Sequence, residues 1–171
     1  MLLWSLLVVL PAFSEASHVF GCSLPPPSTQ QFNATTAEKS WYQQYQYQVP
    51  ILSFIGCVTY EQSPGDSDTE MYLNGNFSKL PLFPLSAKAT FNGNRLDKVY
   101  KGIWYPFLSG PYNVVYTDAD LFIDHYCFLG NDVVQVFTNV KNPSAEVLER
   151  MWKVVAESPE VNESKLRRVN C

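Results

Sequence analysis

Charge is scarce in this chain of 171 residues and histidine scarcer: 16% of residues are charged, and His18 and His125 are its two imidazoles. Lys and Arg number 12 against 16 Asp and Glu, so the formal charge of -4 supplies no field to hold a polyanion, and nucleic acid is excluded as a partner. No CxxC, HxxxH or HExxH spacing occurs, which leaves a zinc site without ligands. A Gly-x-Ser-x-Gly elbow and a glycine-rich phosphate loop are also missing, so no enzyme chemistry is selected. Beyond the first ten residues, no stretch is apolar for long enough to span a bilayer.

That opening run, Met1–Leu10, is uncharged and too short for a membrane helix, and Pro11 and the small residues Ser14, Ala16 and Ser17 follow it. It reads as a signal peptide over residues 1–17, ahead of one domain over 18–171, and predicts a secreted protein. In an oxidising compartment the even set Cys22, Cys57, Cys127 and Cys171 reads as two disulfides. Four cysteines allow three pairings, and arithmetic does not choose among them. Sequons at Asn33, Asn76 and Asn162 are candidate glycosylation sites, whereas Asn142 is followed by Pro143.

What is abundant is aromatic side chain, 15% of the chain, set in short β-branched segments between Gly, Pro, Asn and Asp. Eight segments predict a meandering antiparallel sheet: Trp41–Gln48, Gly56–Gln62, Thr69–Phe77, Ser86–Asn92, Leu96–Trp104, Tyr112–Thr117, Phe122–Leu129 and Asp132–Asn139. Simple alternation puts Trp41, Gln43, Tyr45 and Tyr47 on one face of the first. Polar groups on both faces suit a closed barrel better than a dry sandwich. Ala145–Glu157 breaks the pattern: Leu148, Met151, Trp152 and Val155 recur at helical spacing behind a Ser144 cap, and predict a helix docked outside the sheet. A last short strand, Lys165–Val169, leads to Cys171.

Several strings taken together are identified with a known family. Lys39-Ser40-Trp41-Tyr42 is similar to the Gly-x-Trp-Tyr motif that opens the first strand of lipocalins, with Lys39 where the glycine is expected. Tyr112–Asp118 resembles the second motif, ending in Thr-Asp, and Val136–Pro143 the third, with Lys141 in place of the usual arginine. Within the lipocalins, the chain resembles the branch of insect bilin-binding proteins and apolipoprotein D.

The resemblance implies an all-β, eight-stranded antiparallel up-and-down barrel with one C-terminal α-helix packed outside. It also implies disulfides Cys22–Cys127 and Cys57–Cys171, and a barrel end closed by Trp41 with the Lys141 ammonium over its indole. The function it implies is that of a secreted, non-enzymatic carrier needing no cofactor, which binds one small hydrophobic molecule non-covalently. Biliverdin or another tetrapyrrole leads, with retinoids, fatty acids and sterols behind; a cell-surface receptor or a second copy are further possible partners.

Strand alternation nominates Tyr45, Tyr47, Tyr60, Phe91, Tyr100, Tyr116, Tyr126 and Phe137 as lumen-lining residues for a flat or amphipathic ligand. Asp124 points inward if Cys127 points outward, and a lumen carboxylate needs a partner, water or a raised pKa. On the same alternation His125 faces out and reads as a surface residue. Asp118 suits a turn cap. The competing reading is a secreted protein that acts on another protein through the loops Ser63–Asp68 and Leu80–Leu85 while its lumen stays filled.

Overall fold

The computed structural model describes Cys22, residues 24–27 and residues 37–171; the expected signal peptide, His18 and Asn33 lie outside the described residues. The strands are β1 (Lys39–Tyr47), β2 (Val58–Pro64), β3 (Glu70–Phe77), β4 (Leu85–Asn92), β5 (Arg95–Tyr100), β6 (Gly110–Thr117), β7 (Leu121–Phe128), β8 (Asn131–Thr138) and β9 (Leu166–Arg168). Neighbours pair antiparallel from β2 to β8, and β8 then pairs with β1. Pairing of Lys39–Tyr42 with Thr59–Gln62 returns β1 to β2 and closes an eight-stranded barrel. Where β1 leaves β2, β9 takes over that edge, with Tyr45 opposite Arg168 and Tyr47 opposite Leu166. No long open edge is left on the strand that seals the barrel.

Consecutive hairpins alternate ends. Loops 48–57, 78–84 and 101–109 therefore share the upper end of the barrel, and loops 65–69, 93–94 and 118–120 share the lower end. The loops Ser63–Asp68 and Leu80–Leu85 thus sit at opposite ends of the barrel. At the upper end α1 (Pro50–Ile55) begins with proline at its first turn and drops Leu52, 2% exposed, over the lumen. Gly56 ends it at φ 81°, where a side chain would also strike Ser78 Oγ. The fifth strand stops at Tyr100, short of the expected Trp104, because Gly102–Trp104 winds into a 3₁₀ turn and Tyr105–Leu108 into α2.

The long helix α3 (Ala145–Glu157) starts as expected, with Ser144 Oγ accepting the Val147 N–H. Its apolar stripe makes a second core outside the barrel, where Met151 and Val155 pack with Val115, Ile123, Val134 and Val136. Arg150 fastens the helix to the lower end through Asp120 at 2.8 Å and Asp118 at 3.5 Å. Asp118 Oδ1 in turn accepts the Asp120 and Leu121 N–H groups and caps the tight β6–β7 connection. Disulfides join Cys22 to Cys127 of β7 and Cys171 to Cys57, the residue just before β2. No described helix is long and apolar enough to cross a membrane.

Candidate functional site

Inside the barrel, alternation delivers one aromatic after another to the same space. Phe122, Asp124, Tyr126 and Phe128 of β7 point inward, while Leu121, Ile123 and His125 point outward. Tyr60, Tyr100 and Phe137 join them from β2, β5 and β8, and Phe91 packs at the margin of the same cluster. Tyr60 and Tyr100 share a hydroxyl–hydroxyl hydrogen bond of 2.7 Å, and Tyr126 stacks on Tyr112 with ring centres 4.4 Å apart. Tyr112 donates to the Leu108 carbonyl at 2.7 Å, which pins α2 over the upper end.

The polar centre of this lumen is an ion pair. Lys98 Nζ lies 2.7 Å from Asp124 Oδ2, with the two side chains 2% and 0% exposed. The ammonium also stands 3.9 Å from the centre of the Tyr112 ring and 5.9 Å from those of Tyr60 and Phe122. An aromatic cage and a carboxylate thus share the desolvation cost of one cation. Burial raises the Asp124 pKa above the usual carboxylate range, and Lys98 works against that rise. Asp124 Oδ1 has no hydrogen-bond partner, so the buried interior holds an acceptor for one more donor. Burial likewise holds the hydroxyls of Tyr60, Tyr100, Tyr112 and Tyr126 in their neutral form far into alkaline pH.

Side chains nearly fill the space. The lower chamber, between Trp41, Met71, Leu96, Lys98 and Phe137, has about 20 Å³ of water-accessible space, and the upper one, under Leu52 and Leu108, about 10 Å³. Each has room for about one water molecule. Occupancy by anything larger requires lumen side chains to swing aside.

Three nominated lining residues are elsewhere, for one reason. β1 carries a bulge between Gln43 and Tyr45, which inverts the alternation begun at Trp41, so Tyr45 and Tyr47 face outward and Gln46 faces in. Tyr45 meets the edge of Trp152 on α3 at 4.9 Å, and the Tyr47 hydroxyl accepts the Asn162 N–H. A second bulge, between Val114 and Tyr116, turns Tyr116 out toward α3, where its hydroxyl donates to Asp118 at 3.0 Å. The same slips bring in Gln46 and Thr117, which simple alternation had placed outside. Tyr112 and Lys98 were missed for lack of a partner to recognise them by: a lysine at an inward strand position reads as a surface residue until its carboxylate is seen two strands away on β7.

The lower end is also rearranged. Trp41 is buried against Phe122 at 5.7 Å and donates its indole N–H to Gln62 at 2.9 Å. The cation over its ring is Lys39, at 5.0 Å, held there by a 2.9 Å bond to the Ala119 carbonyl. Lys141 is exposed, and its carbonyl, not its ammonium, is engaged, by Gln44. The residue in the place of the motif glycine has thus assumed the role expected of Lys141. His125 faces outward as expected but is buried at 3% exposure, with Nε2 on Asp132 and Nδ1 unpaired, because the chain near Pro25 crosses this face and accepts from the neighbouring Asn113. Asn76 and Asn162 are exposed. Among the described residues no cluster of three His, Cys, Asp or Glu could hold a metal ion.

The architecture is one seen before. The chain is similar to insecticyanin from the tobacco hornworm Manduca sexta, with a TM-score of 0.63 at 11% identity over 88% of this chain and 87% of that one. It is also similar to the amine-binding protein of Rhodnius prolixus in its tryptamine complex, with a TM-score of 0.58 at 14% identity over 86% and 85%. H1 crustacyanin from the lobster Homarus americanus gives 0.57 at 16% identity over 83% and 80%. No protein-family model and no curated protein matches the sequence. The class that closed barrel, outer helix and added strand define is the lipocalin fold.

Proposed function

We propose that this protein is a secreted carrier that takes one small hydrophobic ligand non-covalently into its barrel. The observation that carries the reading is the Lys98–Asp124 pair, buried in aromatic walls with one carboxylate oxygen unpaired. Such a centre orients a molecule that offers apolar faces to Tyr60, Tyr126 and Phe137 and a polar N–H or O–H donor to Asp124. Biliverdin or another tetrapyrrole, flat and rich in N–H donors, is the ligand class this chemistry suits best. An aromatic amine of the tryptamine kind meets the same two requirements, whereas retinoids, fatty acids and sterols offer fewer donors. Two disulfides fit an oxidising, extracellular compartment.

The test is a tryptophan-fluorescence titration of the oxidised protein with biliverdin, tryptamine, retinol and a long-chain fatty acid. Saturable quenching by one of them at one molecule per barrel establishes the carrier and its ligand class. A folded protein that answers to none overturns the reading and leaves the lumen a packed core.

A further inference from the structure

The upper end of the barrel carries the apolar surface that the rest of the molecule hides. Of nine large apolar side chains exposed among the described residues, seven stand on its three long loops. Ile51 and Phe54 belong to loop 48–57, Leu82 and Phe83 to loop 78–84, and Ile103, Tyr105 and Phe107 to loop 101–109. Leu82 is 87% exposed and Phe54 75%, values that no packing role explains. The loops form one surface. Lys79 N–H bonds the Ile55 carbonyl at 3.2 Å and its ammonium the Ser53 carbonyl at 2.8 Å, while the Trp104 indole donates to the Phe83 carbonyl at 3.3 Å.

Charge on this end is equally uneven. The chain as a whole is acidic, with a formal charge of -4, yet loops 48–57, 78–84 and 101–109 contain no Asp or Glu. Their charged residues are Lys79 and Lys101, both exposed. An apolar crown whose three long loops carry cations and no anions is complementary to the interface of an anionic bilayer, where apolar side chains enter the acyl boundary and ammonium groups stay with the headgroups; the short turn 129–130 at the same end is uncharged, and Asp132 beyond it is engaged by His125. A second copy of the same end would set lysine against lysine.

We infer that the upper end is a membrane-docking surface, which seats the barrel on anionic lipid through Phe54, Leu82, Phe83 and the loop 101–109, with Lys79 and Lys101 at the headgroups. This surface is the outer side of the loops that cover the lumen, and it does not depend on whether the lumen takes a ligand.

Ligand-free protein, treated to remove any glycan at Asn76, is floated with vesicles of phosphatidylcholine alone or with about one part in three phosphatidylserine. Binding to the anionic vesicles is expected, accompanied by a blue shift of Trp104 emission and weakened by salt. The variant Phe54→Ser/Leu82→Ser and the variant Lys79→Gln/Lys101→Gln are each expected to bind about tenfold more weakly or worse. Absence of binding by the parent protein overturns the inference, as does binding that neither variant weakens. Sedimentation of the same samples identifies the other occupants: a dimer lost in Phe54→Ser/Leu82→Ser without vesicle binding assigns the crown to a second copy, and a monomer that ignores vesicles leaves it to a protein partner. Because no lumen ligand is present, failure here is distinct from failure of the carrier titration.

Discussion

Lys98 and Asp124 meet on the inner wall of the barrel, from β5 and β7 on either side of β6, at 2.7 Å and almost wholly out of water. A pair so placed stabilises only while both members are present, because either alone is an uncompensated charge in an aromatic interior. Lys98→Met is expected to cost about 3–5 kcal/mol in urea unfolding, and Lys98→Met/Asp124→Leu to recover most of that loss. Additive losses in the double variant would show the two groups to be energetically independent.

The lumen tyrosines supply an optical prediction. Tyr60, Tyr100, Tyr112 and Tyr126 are held protonated by burial, so their folded pKa values lie above those of the unfolded chain. Their contribution to stability is complete below the ordinary tyrosine range and is lost as pH climbs above it. During an alkaline titration the phenolate absorbance of these four should therefore appear only with unfolding. Their ionisation while the fold is still intact would mean that the lumen is wet.

Site assignment can be checked by removing hydroxyls. Tyr45→Phe and Tyr116→Phe, on the outer face, should leave ligand titrations unchanged, whereas Tyr60→Phe and Tyr126→Phe should alter the affinity or the spectrum of the bound ligand. The reverse result would place the ligand under α3.

At the lower end the cation over Trp41 is Lys39. Lys39→Met should lower stability by about 0.5–1 kcal/mol, as an exposed cation–π contact does. Lys141→Met should change it by less than about 0.5 kcal/mol, the range of ordinary surface substitutions. Equal effects in thermal unfolding would contradict the assignment.

The Asp120–Arg150 clasp sets an acid limb. The hydrogen bond from Arg150 lowers the Asp120 pKa, so its contribution is present above the ordinary carboxylate range and is lost as pH falls through the lowered folded value. Both groups are more than a third exposed, which keeps the effect within about 1 kcal/mol. Asp120→Asn should flatten the acid limb of a stability-versus-pH profile by that amount; an unchanged limb would mean that solvent screens the clasp completely.

Much of this molecule was legible in local pattern. Period-two alternation, turn residues and one helical stripe located the eight barrel strands and α3 to within a few residues, because each depends on neighbours close in the chain. The cap at Ser144 and the turn at Asp118 followed from the same local chemistry, while the inward aim of Asp124 followed from the outward Cys127 that the resemblance implied. The bulges at Tyr45 and Tyr116 were not legible. Each relieves a mismatch between one strand and a partner distant in sequence, and a single extra residue there carries a tyrosine from the lumen to the helix. Nor did the sequence pair Lys98 with Asp124, seat Lys39 on Trp41, bury His125 or gather three loops into one apolar crown. Those are contacts between segments that only closure of the barrel brings together: the sequence alone determined which residues alternate, and the tertiary structure decided which way they face and what they meet.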